Sequence, residues 1–460
     1  MASELKLQYL STPGAAPEDA KDDTEAPVVS LDYDPPSSAQ EFPEGGWTGW
    51  ATAFGSFLVQ FCGYGYANSF GVYEGIAIHD SDYKTPYLLD FYSQHYLTKE
   101  TSSAISWIGS LNFFFLTTVG VVSGSLFDRG YFYHLIIAGS LLQSFSLFML
   151  SLAKPDQYYQ IFLAQGVGSG IASGLMFVPS ATVLAHHFRR KRTVVMSAVA
   201  AGSSLGATVH PIMLNKLLNG PTGFSNGVRA SAGFISALLL IACLCMRTRL
   251  DPPKTPVDYI VVARKCIRDV PFIVMTAATC IFQIGVYYPV FYLQLDSIKH
   301  GIGVTLSFYS LVILNVSSSV GRVTAGFIAT FTGTPLLTIA ATMMCAALNF
   351  GMIGLSNSAT VVVLGVLYGF FQGLYVAMLG PLMVFLTPDL SELGARMGIA
   401  FFVTGFGVLI GPPISGALLT SNYTWWIPAL FSGIISLAGG VLYIVTHLLS
   451  KRRLRKSHNA

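Results

Sequence analysis

Apolar residues in this chain gather into long runs, separated by short stretches that are polar or carry glycine and proline. Six runs lie near 48–73, 103–127, 131–153, 158–185, 193–218 and 229–247, and six more near 271–295, 304–330, 335–356, 359–387, 396–420 and 424–449. Each comes close to the ~20 apolar residues that carry a helix across a bilayer. The pattern predicts an all-α polytopic membrane protein with twelve transmembrane helices in two six-helix bundles. The expected organisation is a cytosolic tail over 1–43, a bundle over 44–249, a linker over 250–270, a bundle over 271–450 and a basic cytosolic tail over 451–460. The tail at 1–43 is rich in proline and acid and lacks the apolar segment of a secretory signal, so it is expected to be disordered.

Composition agrees with this pattern. Only 11% of residues are charged, 52% are hydrophobic and mean hydropathy is +0.58. Soluble domains carry about 25% charge, and a chain this poor in it could not cover a water-facing surface. The distribution of Lys and Arg sets an orientation. With the N-terminus inside, one side holds Arg129, the Arg189–Arg192 run, Arg247, Arg249, Lys254, Arg264, Lys265, Arg268, Arg396 and the KRRLRK run at 451–456. That is seventeen basic residues; the other side holds six, namely Lys84, Lys99, Lys154, Lys216, Arg229 and Lys299. Both termini are therefore expected in the cytosol, and the plasma membrane is the expected location. KRRLRK directly follows an apolar run, which fits a membrane anchor near anionic head groups rather than a nucleic-acid signal. The six cysteines lie in or beside apolar runs without a CxxC pair, as small apolar fillers do, and no metal or cofactor is expected. No phosphate-binding Gly-Lys-Ser/Thr loop is present, which argues against ATP-driven transport.

One charge stands well inside an apolar run: Arg322, in the eighth. Arginine keeps its proton in a protein, and at mid-helix it costs at least ~2.5 kcal/mol on insertion scales. It is read as an anion-attracting or gating charge; the alternative is a structural arginine held by nearby carbonyl, Asn or Ser groups. Gln283 and Tyr287 share a helix face in the seventh run, Gln372 and Tyr375 lie in the tenth, and Asn315 precedes Arg322. Together with Asn68 they are candidate substrate-binding groups for a flat or amphipathic solute, although helix–helix hydrogen bonding also explains many intramembrane amides. The two halves echo each other: Gln165-Gly166 and Pro179 in the fourth run match Gln372-Gly373 and Pro381 in the tenth. Repeated six-helix halves with a site between them at mid-membrane describe a rocker-switch transporter.

The segment Gly124-Ser-Leu-Phe-Asp128-Arg129-Gly130 follows the second run and resembles the G-x-L-x-D-R-x-G signature of the major facilitator superfamily. That resemblance implies that Gly124, Asp128 and Arg129 act at a cytosolic gate. The C-terminal copy has Thr330 in place of the aspartate, so the gate pairing is expected to be one-sided. Glu44-Gly-Gly-Trp47, Asn68 to Val72, Ser106 to Gly109, Ala201 to Gly206, Gly411 to Gly416 and Gly321-Arg322 resemble the fungal branch of the monocarboxylate porter family. The likeness covers roughly 42–450. It implies a twelve-helix transporter of monocarboxylates, riboflavin or secondary metabolites. Animal lactate porters carry a lysine where this chain has Asn68 and an aspartate where it has Ser318, so that route of proton coupling is unsupported. The loop Gly75 to Asp90 lies outside the family pattern, either as an elaboration or as a gene-model artefact.

The reading is a secondary transporter, not an enzyme, moving a small organic and anionic metabolite through the bilayer. Export of a secondary metabolite ranks above uptake of a monocarboxylate or riboflavin-like nutrient. A membrane-embedded enzyme would need clustered ionisable groups, and a receptor would need an ordered soluble domain.

Overall fold

The computed structural model describes residues 44–68, 96–97, 99–100, 102–218, 220–250, 258–419 and 424–458. The expected tail at 1–43 and the 75–90 loop lie outside them. The described chain is helical, with no strand. The N-terminal half comprises α1 (Gly46–Cys62), α2 (Tyr64–Ala67), α3 (Ser102–Thr118), α4 (Gly120–Asp128), α5 (Phe132–Leu150), α6 (Tyr158–Ile161), α7 (Ser169–Thr182), α8 (Leu184–His187), α9 (Arg192–Leu218) and α10 (Gly223–Cys245). A short α11 (Tyr259–Arg268) follows. The C-terminal half comprises α12 (Val270–Val286), α13 (Tyr288–Lys299), α14 (Val304–Thr332), α15 (Thr334–Gly351), α16 (Ser358–Leu386), α17 (Leu393–Leu418) and α18 (Trp426–His458).

Several of these are single spans with a local break. A π-turn at Phe162–Gly168 joins α6 to α7, and Tyr287 separates α12 from α13 just before Pro289. Proline has no N–H to continue the ladder but is tolerated in the first turn of the next helix. Among the described residues eleven helices are long and apolar enough to cross a membrane, and α1–α2 completes the set of twelve.

The halves have largely separate cores. One cluster runs from Leu58 to Met246, a second is centred on the C-terminal half and also takes in Ala67, Phe113, Leu116, Val178 and Ala185, and a small third joins Ala53, Leu184, Phe188, Val195, Met196 and Val199. Close packing rests on small residues. A methyl added to Gly369 or Gly373 of α16 would fall 2.1 or 2.3 Å from the carbonyl oxygens of Leu314 and Ser318 on α14. Such positions let backbones approach where no hydrophobic force separates helix from lipid.

The ends of α4 and α8 and the starts of α9, α12 and α17 share the face with the basic loops, here called the basic face. Trp47, 88% exposed, stands there in the manner of an interfacial aromatic. Two stretches of this face carry further helix. The linker holds a capped helix, since the Asp258 carboxylate accepts the N–H of Ile260 at 2.9 Å. In the basic stretch after residue 450, α18 continues unbroken to His458. Leu, Lys and Arg are all good helix formers, so nothing stops the helix at Ser450.

Candidate substrate site and gates

A cavity of about 70 Å³ lies between the halves. Gln60, Tyr64, Phe177 and Ser203 line it from one half, and Gln283 and Phe401 from the other. Leu184, Met196 and Met397, near the basic ends of their helices, also line it, so it reaches into the basic-face half of the bundle. A water takes ≈ 30 Å³ of liquid and organic-ligand pockets run from ≈ 300 Å³, so this is a contracted space that must widen to hold a solute.

Arg322, on α14, stands behind the wall of this space rather than among the residues that line it. Its Nη1 donates to the carbonyl of Ala200 at 2.9 Å and to the Ser203 hydroxyl, both cavity-lining residues on α9. Its Nε has no acceptor, and it makes no ion pair among the described residues. One guanidinium thus bridges the halves on weak neutral acceptors, beside Ser204 and Ser319, whose hydroxyls meet at 2.8 Å across the same interface.

The cavity has an aromatic roof. The hydroxyls of Tyr64 and Tyr287 hydrogen-bond to each other, one tyrosine from each half. The ring of Phe113 lies 5.7 Å from Tyr64 and 6.1 Å from Tyr287, and Phe291 lies 6.1 Å from Tyr287. Both tyrosines sit at breaks in the first span of their half, Tyr64 just after Gly63 and Tyr287 between α12 and α13. Each follows a cavity-lining glutamine by four residues, Gln60 and Gln283, so the two Gln-x-x-x-Tyr segments are internal copies.

On the basic face the closure has another chemistry. Asp128 accepts the N–H groups of Gly394 at 3.0 Å and Ala395 at 2.6 Å, in the first turn of α17. A carboxylate there satisfies orphan donors and meets the positive end of the helix dipole. Gly124 is obligatory beneath it, since a methyl would lie 2.0 Å from the Gly394 carbonyl oxygen. Around the same turn, Arg396 pairs with Asp269 at 3.1 Å and Glu392 at 3.6 Å, Arg453 reaches Asp269 at 3.2 Å, and Lys265 pairs with Glu392. Along the opposite edge the described residues meet by packing. Gly326 lies against Val194 and Ser197, while the Thr330 hydroxyl donates to Phe327 in its own helix. On the N-terminal side, the Glu44 carboxylate accepts the N–H groups of Arg189, Arg190 and Lys191 at 3.2, 2.5 and 3.2 Å.

The sequence profile of the Major Facilitator Superfamily matches residues 50–356 and 320–459. The aspyridones efflux protein apdF of Emericella nidulans is 34% identical over 412 residues, covering 90% of this chain and 80% of its own. This chain belongs to the major facilitator superfamily. The fujikurins efflux protein of Gibberella fujikuroi is 31% identical over 441 residues, covering 94% of this chain and 90% of its own. Among solved structures, the human organic anion transporter MFSD10 (TETRAN) shares the fold with a TM-score of 0.65 at 13% identity, covering 87% of this chain and 100% of its own. The superfamily is one of transporters rather than enzymes, and this member is a multi-pass secondary transporter that moves small molecules.

Within this superfamily fold, the residues singled out from sequence separate into groups. Gln283 lines the cavity, Tyr287 meets the lining residue Tyr64 at its roof, and Arg322 stands behind its wall at Ala200 and Ser203. Gln372 stands behind them, its Oε1 accepting the Ser318 hydroxyl at 2.9 Å one turn before Arg322. Tyr375 is fully buried between Phe282 and Tyr443, with ring centroids at 4.4 and 6.3 Å. The amides of Asn315 and Asn68 each donate to a carbonyl one turn back, those of Leu311 and Tyr64. Arg129 is exposed beside the Asp128 latch. His187 bonds the Arg247 carbonyl through Nε2 at 2.7 Å. Gln60, Tyr64 and Ser203 are the additions from the structure; comparing the first and seventh runs for repeated Gln-x-x-x-Tyr would have found the first two.

Proposed function

We propose that this transporter exports a small organic anion, of the secondary-metabolite class, from the cytosol across the plasma membrane, and that it falls in the fungal branch of the monocarboxylate porters. The observation that carries this reading is Arg322: a buried, permanently charged group without a carboxylate partner among the described residues, resting on two residues of the cavity wall. An incoming carboxylate would offer it a charge-assisted hydrogen bond, stronger than those to Ala200 and Ser203. Gln60 and Gln283 would then hydrogen-bond the solute from opposite halves, and Phe177 and Phe401 would pack on its apolar part.

The excess of Lys and Arg on the basic face supports a cytosolic assignment for that face and for both termini. Solute would enter when Asp128 releases α17 and the basic face parts. It would leave when the Tyr64–Tyr287 bond breaks and the opposite face parts. The names of the relatives, efflux proteins for aspyridones and fujikurins, favour export. So does Ser318, which leaves no carboxylate one turn before Arg322 to carry a proton.

The test is accumulation in cells expressing this chain and loaded with a panel of organic acids. Lower steady-state content of at least one acid, relative to cells lacking the chain, is expected. Equal content across the panel, or higher content of a monocarboxylate, would overturn export.

A further inference from the structure

We propose that α11, the helix joining the two halves, docks on anionic phospholipid at the basic-face surface of the bilayer and couples that lipid to the Asp128 latch. The proposal is independent of which solute is carried.

Two faces of α11 have opposite characters. Val262 and Cys266, one turn apart, are 1% and 2% exposed and belong to the core of the C-terminal half. Ile260 and Ile267 are 66% and 74% exposed. At 3.6 residues per turn these two isoleucines share a side with Arg264 and Arg268, which are exposed as well. A helix lying with isoleucines and arginines interleaved on its outer side is poorly suited to water and well suited to the boundary of head group and acyl chain. There the isoleucines leave water and the guanidinium groups meet phosphate.

Charge selects the lipid. The end of α18 adds exposed Lys451, Arg452 and Arg453 to the same surface, and Arg453 is tied to Asp269, directly after α11. Basic residues next to a span attract the anionic leaflet, each by an amount that falls away within a Debye length.

The coupling runs through Lys265. It leaves the basic face of α11 to pair with Glu392, which also contacts Arg396. Gly394 and Ala395, the residues whose N–H groups Asp128 holds, lie between those two. Lipid that fixes α11 therefore fixes the turn on which the basic face closes.

The full chain, purified in detergent, would be examined by native mass spectrometry with phosphatidylserine and phosphatidylcholine in competition. Its thermal unfolding would be followed in nanodiscs of phosphatidylcholine with and without phosphatidylserine. Wild type is expected to retain phosphatidylserine preferentially and to melt higher when it is present. Arg264→Gln with Arg268→Gln should cut that preference about fivefold per arginine while leaving the melting temperature in phosphatidylcholine unchanged. Ile260→Ser with Ile267→Ser should weaken retention of both lipids, which keeps the test decisive if the arginine variant does not fold. An unchanged preference in the arginine variant, or unchanged retention of both lipids in the isoleucine variant, would overturn the proposal. So would loss of the preference only on Arg189→Gln with Arg190→Gln in the other basic loop. Binding of calcium-loaded calmodulin to α11 without any lipid preference would also overturn it, assigning the face to a protein.

Discussion

Arg322 and Asp128 show how a single charge reads differently with its surroundings. Asp128 is matched by two backbone donors at a helix start, an arrangement that holds a closed state together. Arg322 has only neutral acceptors and keeps Nε unused, an arrangement that leaves it open to a stronger partner. Replacing Asp128 by alanine should cost about 1–2 kcal/mol, the usual worth of a helix cap, read as a lower melting temperature. Asp128→Asn keeps one acceptor and should fall between. Glu44 permits a sharper test. Burial works against its ionisation, but the N–H groups of Arg190, Lys191 and Arg189, with the charge of Arg190, outweigh it and hold the carboxyl below its ordinary value of 4.5. A carboxyl lowered on folding stabilises fully above its unfolded value and loses that contribution as pH falls through the lowered one. Wild type should therefore melt above Glu44→Gln at neutral pH, and the difference should vanish in acid. A difference that persists in acid would mean that the Glu44 side chain acts by packing. At this scale the sequence exposed Arg322, because a charge in an apolar run has no ordinary explanation. It hid Tyr64 and Ser203, because tyrosine and serine are common in buried spans and Ser203 meets Arg322 across 119 positions of chain.

Helix breaks carry the next level of organisation. The first span of each half is interrupted beside its tyrosine, at Gly63 and at Tyr287. Breaking the hydroxyl pair should weaken closure of the roof. Tyr64→Phe and Tyr287→Phe are each expected to raise the reactivity of a cysteine placed at Gln283 toward a thiol reagent applied from the far side. Because either change removes the same bond, the double variant should add little to the single ones, and additive effects would exclude the pairing. Spans were legible as elements because every run is long and strongly apolar. The break at Tyr287 was marked by Pro289, whereas Gly63 lies among other small residues and gave no comparable mark. Helix α11 was obscured because it is short, polar on average and preceded by three prolines. Only the alternation of buried Val262 and Cys266 with exposed Ile260 and Ile267 shows it to be amphipathic.

At the scale of the molecule, both faces are closed around a contracted cavity, by an aromatic pair on one side and by a capped helix and glycine contacts on the other. Alternating access requires that these closures open in turn, never together. Cysteines replacing Tyr64 and Tyr287 in a cysteine-free background, joined by a bifunctional thiol cross-linker, should stop transport, and a cleavable linker should restore it. Transport that continues after complete cross-linking would move the pathway elsewhere. The repeat of two six-helix halves was readable from the sequence because hydrophobic period and loop charge repeat along the chain. The relation between the halves was not, since contacts such as Ser204 with Ser319 involve small residues with no long-range signature.

The most direct test of the central claim, that Arg322 binds a carboxylate in the space between the halves, is flux of one carried organic acid and its methyl ester in proteoliposomes. Wild type, Arg322→Lys and Arg322→Gln would be compared at equal reconstitution. Loss of the charge should slow the acid at least about tenfold, equivalent to 1.4 kcal/mol, with lysine retaining part of the rate. Ester flux should be the same in all three. Equal acid flux in wild type and Arg322→Gln would contradict the account and leave Arg322 as a structural bridge to Ala200 and Ser203.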